Sequence, residues 1–224
     1  MLGFYGKLPC RGDFVTRELP KDFVLPWDRW LQDSLASSQE QLGESWVDTY
    51  LFSPIWHFML SANLCGSSSW MGLIMPSVDK VGRYFPLTLA VKLPSQIAES
   101  SLADKAIANW FAQADKLALS TLEESFELAQ FEQKIAQLEL PPMSNAKAHQ
   151  TAWYVPVLHE DDFAAHCKSV AESGCRKNYS LWWTSESEGF QRAFIFCEGL
   201  PPHSGFSAFL DGEWQQWGWQ LKNV

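Results

Sequence analysis

The sequence predicts an α+β fold, a central, mostly antiparallel sheet of about six strands packed with helices, two of them forming an antiparallel pair in mid-chain. Three observations carry this expectation. Short aromatic and apolar runs suited to strands come in neighbouring groups instead of alternating strictly with helices. Other stretches place apolar residues at a helical spacing. The chain has 224 residues, 46% of them hydrophobic, which is enough for a buried core. A single domain over residues 1–224 follows, with a strand-rich part at 1–94, the helical pair at 100–140 and a second strand-rich part at 151–224.

The elements follow in chain order. After a short apolar start at Phe4 and Tyr5, "GKLPCRGD" has the glycine and proline punctuation of a loop. Pro26 suits a first helical turn, and Trp27, Trp30, Leu31 and Leu35 then follow on one face of an amphipathic helix that ends near Gly43. "SPIWHFML", "SWMGLIM" and "FPLTLAVKL" read as strands, the last two joined by a charged connection in which Gly82 permits the turn. Ser101 and Asp104 form an N-terminal cap pattern ahead of a helix whose face is Ile107, Trp110, Phe111, Ala114 and Leu117. Thr121 and Glu124 form another, ahead of Leu128, Phe131, Ile135 and Leu138, and Pro141 and Pro142 stop that second helix. Helices joined so tightly should lie antiparallel. "ELPPMSNAKAHQ" is the most linker-like segment. Beyond it "TAWYVPVL", "YSLWWTS" and "FQRAFIFCE" read as strands and "DDFAAHCKSVAES" as a helix, before an aromatic tail with a turn at Asp211 and Gly212.

Charge narrows the function classes. With 17 Lys plus Arg against 26 Asp plus Glu, the formal net charge is −9, and there is no basic run to neutralise phosphates, so nucleic-acid binding is not expected. The first residues lack the apolar core of a secretory signal, and no apolar run approaches the roughly 18 residues of a membrane span; a cytoplasmic protein without membrane insertion is expected. The 5 cysteines are scattered without a C-x-x-C pair, which fits reduced, packed thiols. The 12 tryptophans are read mainly as core.

Signatures of catalysis are missing. There is no G-x-S-x-G elbow, no phosphate-cradling glycine loop and no H-E-x-x-H. His159, Asp161, Asp162, His166 and Cys167 hold metal-capable side chains, but the two histidines are two helical turns apart and read as a solvated helix start. No metal or cofactor is expected. The remaining question is the charged knot of Asp79, Lys80 and Arg83 between two apolar strands. Asp13 and Asp79 sit in loops beside Arg11 and Arg83, an arrangement that suits structural ion pairs better than acid–base chemistry, which needs carboxyls in different environments. Arg83 should fold back so that Asp79 or Asp13 accepts its donors, while Lys80 points to water.

Taken together, "GFYGKLPCRGDFVTRELP", "WDRWLQDSL", "YLFSPIWHFML", "WMGLIMPSVDKVGRYFPLTLA", "YSLWWTS", "EGLP" and "FSAFLDGEW" resemble the TagF family of type VI secretion-associated proteins, most closely over residues 1–94. Cys10 and His57 stand where serine and arginine are expected, and the second departure removes a charge that would have joined the network of Asp79 and Arg83. The resemblance implies a cytoplasmic, non-enzymatic, post-translational negative regulator of a type VI secretion system in a Gram-negative bacterium, acting by binding its forkhead-associated-domain scaffold. It carries over no catalytic residues. The alternative is a hydrolase or small-molecule sensor with a pocket beside the loop from Ser77 to Tyr84. Trp214, Trp217 and Trp219, which crowd a polar tail, are the candidate partner-binding residues.

Overall fold

The computed structural model describes residues 1–94, 104–142, 154–156, 178–184 and 190–220. Eight strands form one sheet: β1 (Leu2–Gly6), β2 (Val15–Arg17), β3 (Trp56–Leu60), β4 (Trp70–Met75), β5 (Leu87–Lys92), β6 (Tyr154–Pro156), β7 (Tyr179–Thr184) and β8 (Ala193–Glu198). Their spatial order is β2-β1-β5-β4-β3-β7-β8-β6, and every pairing is antiparallel. The six expected strands are all present, and β1 and β2 add to them. β2 was not legible because its three residues are held by backbone pairing with Phe4, Tyr5 and Gly6, which a side-chain pattern does not record.

Both sheet faces are buried, and the side chains alternate between two cores. One core takes Met59, Met71, Leu73, Leu87, Leu89, Leu181 and Phe194; the other takes Trp56, Phe58, Leu60, Ile74, Ala90, Trp182 and Ile195. Both sets are apolar, so the strands read as continuous hydrophobic runs and show no alternation in sequence.

Helix α1 (Lys21–Leu42) covers the second core through Phe23, Trp27, Trp30, Leu31 and Leu35, assisted by α2 (Trp46–Leu51). It starts earlier than expected and contains Pro26. Phe23 explains this: it is fully buried against Trp27 and Trp70, and that packing carries the helix back past the proline. Helices α3 (Lys105–Ser120) and α4 (Leu128–Gln137) cover the first core through Ile107, Trp110, Phe111, Ala114, Phe131 and Ile135. Thr121 does not start the second helix. Its hydroxyl donates back to the Ala118 carbonyl and finishes the first, and α4 begins only after Glu127. A last helix, α5 (Ala208–Asp211), ends at Gly212, which has the left-handed φ of 78°. Ser101 and the helix expected at 161–173 lie outside the described residues.

Candidate functional site

The loop end of the sheet is built from two connections, residues 7–14 after β1 and residues 76–86 between β4 and β5. Gly6 turns the chain out of β1 at φ 137°, where an added Cβ would stand 2.1 Å from the Pro86 carbonyl oxygen. The next residue, Lys7, is thereby carried beneath the second loop and buried. Its Nζ donates to Asp79 Oδ2 and lies 4.9 Å from the centre of the Phe14 ring.

Asp79 is the hub of this end. Its Oδ1 accepts the backbone N–H groups of Val81 (3.0 Å) and Arg83 (2.9 Å), and its Oδ2 accepts Arg83 Nε at 2.7 Å beside Lys7. Burial alone would raise this carboxyl; the bond from Lys7, then those from the Arg83 backbone and side chain and from Val81, outweigh it and hold Asp79 well below the usual carboxylate range. Arg83 also donates through Nη2 to the Gly12 carbonyl, with Asp13 3.9 Å away. The Lys80 N–H donates to Arg11 O, and Ser77 Oγ donates to Lys7 O. Buried Tyr50 joins from α2: its hydroxyl donates to Ser77 O at 3.0 Å and accepts the Ser77 N–H at 2.9 Å.

The expected ion-pair turn is therefore present, with corrections. Asp79 and Arg83 meet, while Asp13 is fully exposed and only borders Arg83, and the Arg11 side chain makes no ion pair among the described residues; the backbone carbonyl of Arg11 does its work. Lys7, Tyr50 and Ser77 were missed. The one available signal was a lysine directly after an apolar strand and a glycine. His57 belongs to a separate pair on the opposite face, its Nε2 standing 2.8 Å from Asp115 Oδ1 on α3 and its ring against Phe111. The strand's alternation, which sends Trp56 and Phe58 to one face and His57 to the other, removes it from the Asp79 network.

The tail aromatics are less free than their polar context suggested. Trp214 is buried against Trp56 and Phe209. Trp217 and Trp219 are half-buried, with indole N–H groups donating to Asp211 Oδ2 (2.7 Å) and to Gly205 O (2.8 Å). Cys65 and Cys197 are buried free thiols, and burial pushes Cys65 up to about 12; Cys10 is exposed. Ser34 stands 3.1 Å from His203 Nδ1, whose Nε2 is 3.9 Å from Asp33, but Ser34 is fully buried in mid-helix and no substrate can reach it. The array pins the 3-10 turn His203–Gly205 to α1. The metal-capable set of His159, Asp161, Asp162, His166 and Cys167 lies outside the described residues.

Beside the 76–86 loop an apolar cleft of about 200 Å³ opens between Leu51, Ile55, Met75, Val78, Leu119 and Leu122. Leu119 and Leu122 are 48% and 55% exposed, and neighbouring Phe52 is 85% exposed.

Fold and site thus define a class: an antiparallel α+β protein, covered on both faces, whose loop end is locked by a buried ion pair and bordered by an apolar cleft. The chain belongs to the TagF family, since the model of its N-terminal domain, type VI secretion system-associated, matches residues 3–138. Three solved chains match. One is the crystal structure of PA0076 from Pseudomonas aeruginosa PAO1, with 38% identity over 100% of this chain and 98% of that one and a TM-score of 0.80. No curated protein matches.

Proposed function

We propose that this protein is a non-enzymatic, post-translational repressor of type VI secretion that acts in the cytoplasm by binding the forkhead-associated-domain scaffold of the machine. Membership of a type VI secretion-associated family supports the setting. The observation that carries the rest is the fate of the Asp79 cluster, the chain's most chemistry-like group of charges. Its carboxylate oxygens accept four internal hydrogen bonds, so its role is to hold a surface in shape. No helix among the described residues is long and apolar enough to cross a membrane.

Deleting the gene should raise secretion of effector and tube protein, overexpression should silence it, and the purified scaffold should retain this chain in a pull-down. Unchanged secretion on deletion, under conditions where the machine fires, would sink the reading. A sensor reading has one observation in its favour, the cleft beside Ser77 and Val78. At about 200 Å³ that cleft is smaller than the roughly 300–1,000 Å³ of a small-molecule site, and it has few polar groups to orient a metabolite. A reproducible thermal shift with a nucleotide or metabolite would restore it.

A further inference from the structure

We infer that the cleft between α2, the 76–86 loop and the end of α3 is the docking site for a protein segment that presents one apolar side chain flanked by carboxylates. The apolar half of this recognition is the cleft itself, about 200 Å³ in volume and rimmed by Leu119 and Leu122, leucines that the fold leaves in water. Such a hollow fits a side chain better than a cofactor, and single apolar anchors in pockets dominate many interfaces.

The charge of the partner follows from the loops alongside. Residues 7–14 and 76–86 carry Lys7, Arg11, Lys80 and Arg83 against Asp13 and Asp79, four cations to two carboxylates, in a chain of net charge −9. Lys7 is consumed by Asp79. Arg11 and Lys80 are exposed and make no ion pair among the described residues, and Arg83, 56% exposed, is held by Asp79 through Nε while its Nη1 has no hydrogen-bond partner there. Three cations are thus presented on the loop pair: Arg83, already paired with the buried Asp79 and bordered by the fully exposed Asp13, and Arg11 and Lys80, whose charges no carboxylate among the described residues answers. The other rim carries Glu123 and Glu124 beside Leu122, so a bound segment is oriented with its acidic end over the loops. This deepens the interaction reading above and rests on it for the identity of the partner, but not for the chemistry of the segment.

Random peptides displayed on phage are panned on the full chain, and the enriched sequences are synthesised and titrated against wild type, Leu119→Ser/Leu122→Ser and Arg11→Glu/Lys80→Glu. All four changed residues are exposed, and melting curves confirm that both variants are folded. Enriched peptides should share an apolar residue flanked by Asp or Glu. Each variant should weaken them about tenfold or more, and added salt should weaken binding to wild type but not to the charge-reversed variant. No enrichment, a consensus without carboxylates, or binding that either variant leaves intact overturns the proposal. The purified scaffold is titrated in parallel. If it binds wild type and both variants equally, the cleft is wrong and the repressor reading stands. If it fails to bind wild type while the peptides behave as expected, the scaffold is the wrong partner and the cleft stands.

Discussion

Asp79 is shut off from water and accepts bonds from two side chains and two backbone N–H groups, and its two cationic partners are not equivalent. The Lys7 side chain is 5% exposed and that of Arg83 56%, so water screens the second pair and leaves the first at nearly full strength. Lys7→Met should therefore lower the melting temperature by several degrees, Arg83→Ala by less, and Lys80→Ala hardly at all. Lys7→Met/Asp79→Asn should recover part of the loss, because it leaves no lone buried charge. Differential scanning calorimetry of the set decides the order. If Arg83→Ala melts like wild type yet fails to bind the scaffold, Arg83 is an interface anchor and not a structural residue. The pH dependence has a definite sign. A carboxyl lowered in the fold contributes stability that is complete above the unfolded value of about 3.9 and is lost as pH falls below it toward the depressed folded value. Thermal melts of wild type should accordingly decline on acidification below about pH 4, and Asp79→Asn should show a shallower decline over the same range.

At the scale of elements, the C-terminal turns act as a clasp on α1. Trp30 Nε1 donates to the Pro201 carbonyl at 2.9 Å, Gln41 Nε2 donates to Ser204 O at 2.8 Å, and Ser207 Oγ donates to Gln41. Trp214 closes the clasp by packing on Trp56, Phe190 and Phe209. Its replacement by alanine removes a buried ring from this cluster and should cost about 3–5 kcal/mol, read as a shifted urea midpoint. A Trp214→Ala protein as stable as wild type would show that the ring is dispensable to the core and return it to the list of partner anchors. Trp217 and Trp219, half-buried with their N–H groups already engaged, are the tail residues still able to offer a ring face to a partner.

For the whole molecule, the informative junction is between β3 and β7. Strands from residues 1–94 and from the C-terminal part meet there in one continuous sheet, with His57 opposite Trp183 and Met59 opposite Leu181. The family model stops at residue 138, short of β7. A chain truncated there keeps α3 and α4 but exposes the full edge of β3 and uncovers Trp56 and Phe58, an invitation to edge-to-edge pairing. It should aggregate under conditions in which the full chain, tested beside it by size-exclusion chromatography, does not. A monomeric, cooperatively melting 1–138 fragment would show instead that the N-terminal part folds alone.

Local chemistry was enough to determine six strands, the apolar faces of α1 and α3 and the turn at Gly82, and to narrow the partner of Arg83 to Asp79 or Asp13, because each rests on residues close in sequence or on a loop's own charges. The same holds for the family strings. Between the two carboxylates the structure chose Asp79. Strand order, the edge strand β2, the early start of α1 and the burial of Trp214 were decided by tertiary contacts, since backbone pairing and ring packing join residues that no local pattern links. Lys7 makes the point most sharply. It lies 72 positions from Asp79 and looks like any surface lysine in "GKLP", and only the left-handed turn at Gly6, taken under the 76–86 loop, turns it into the buried partner of that carboxylate.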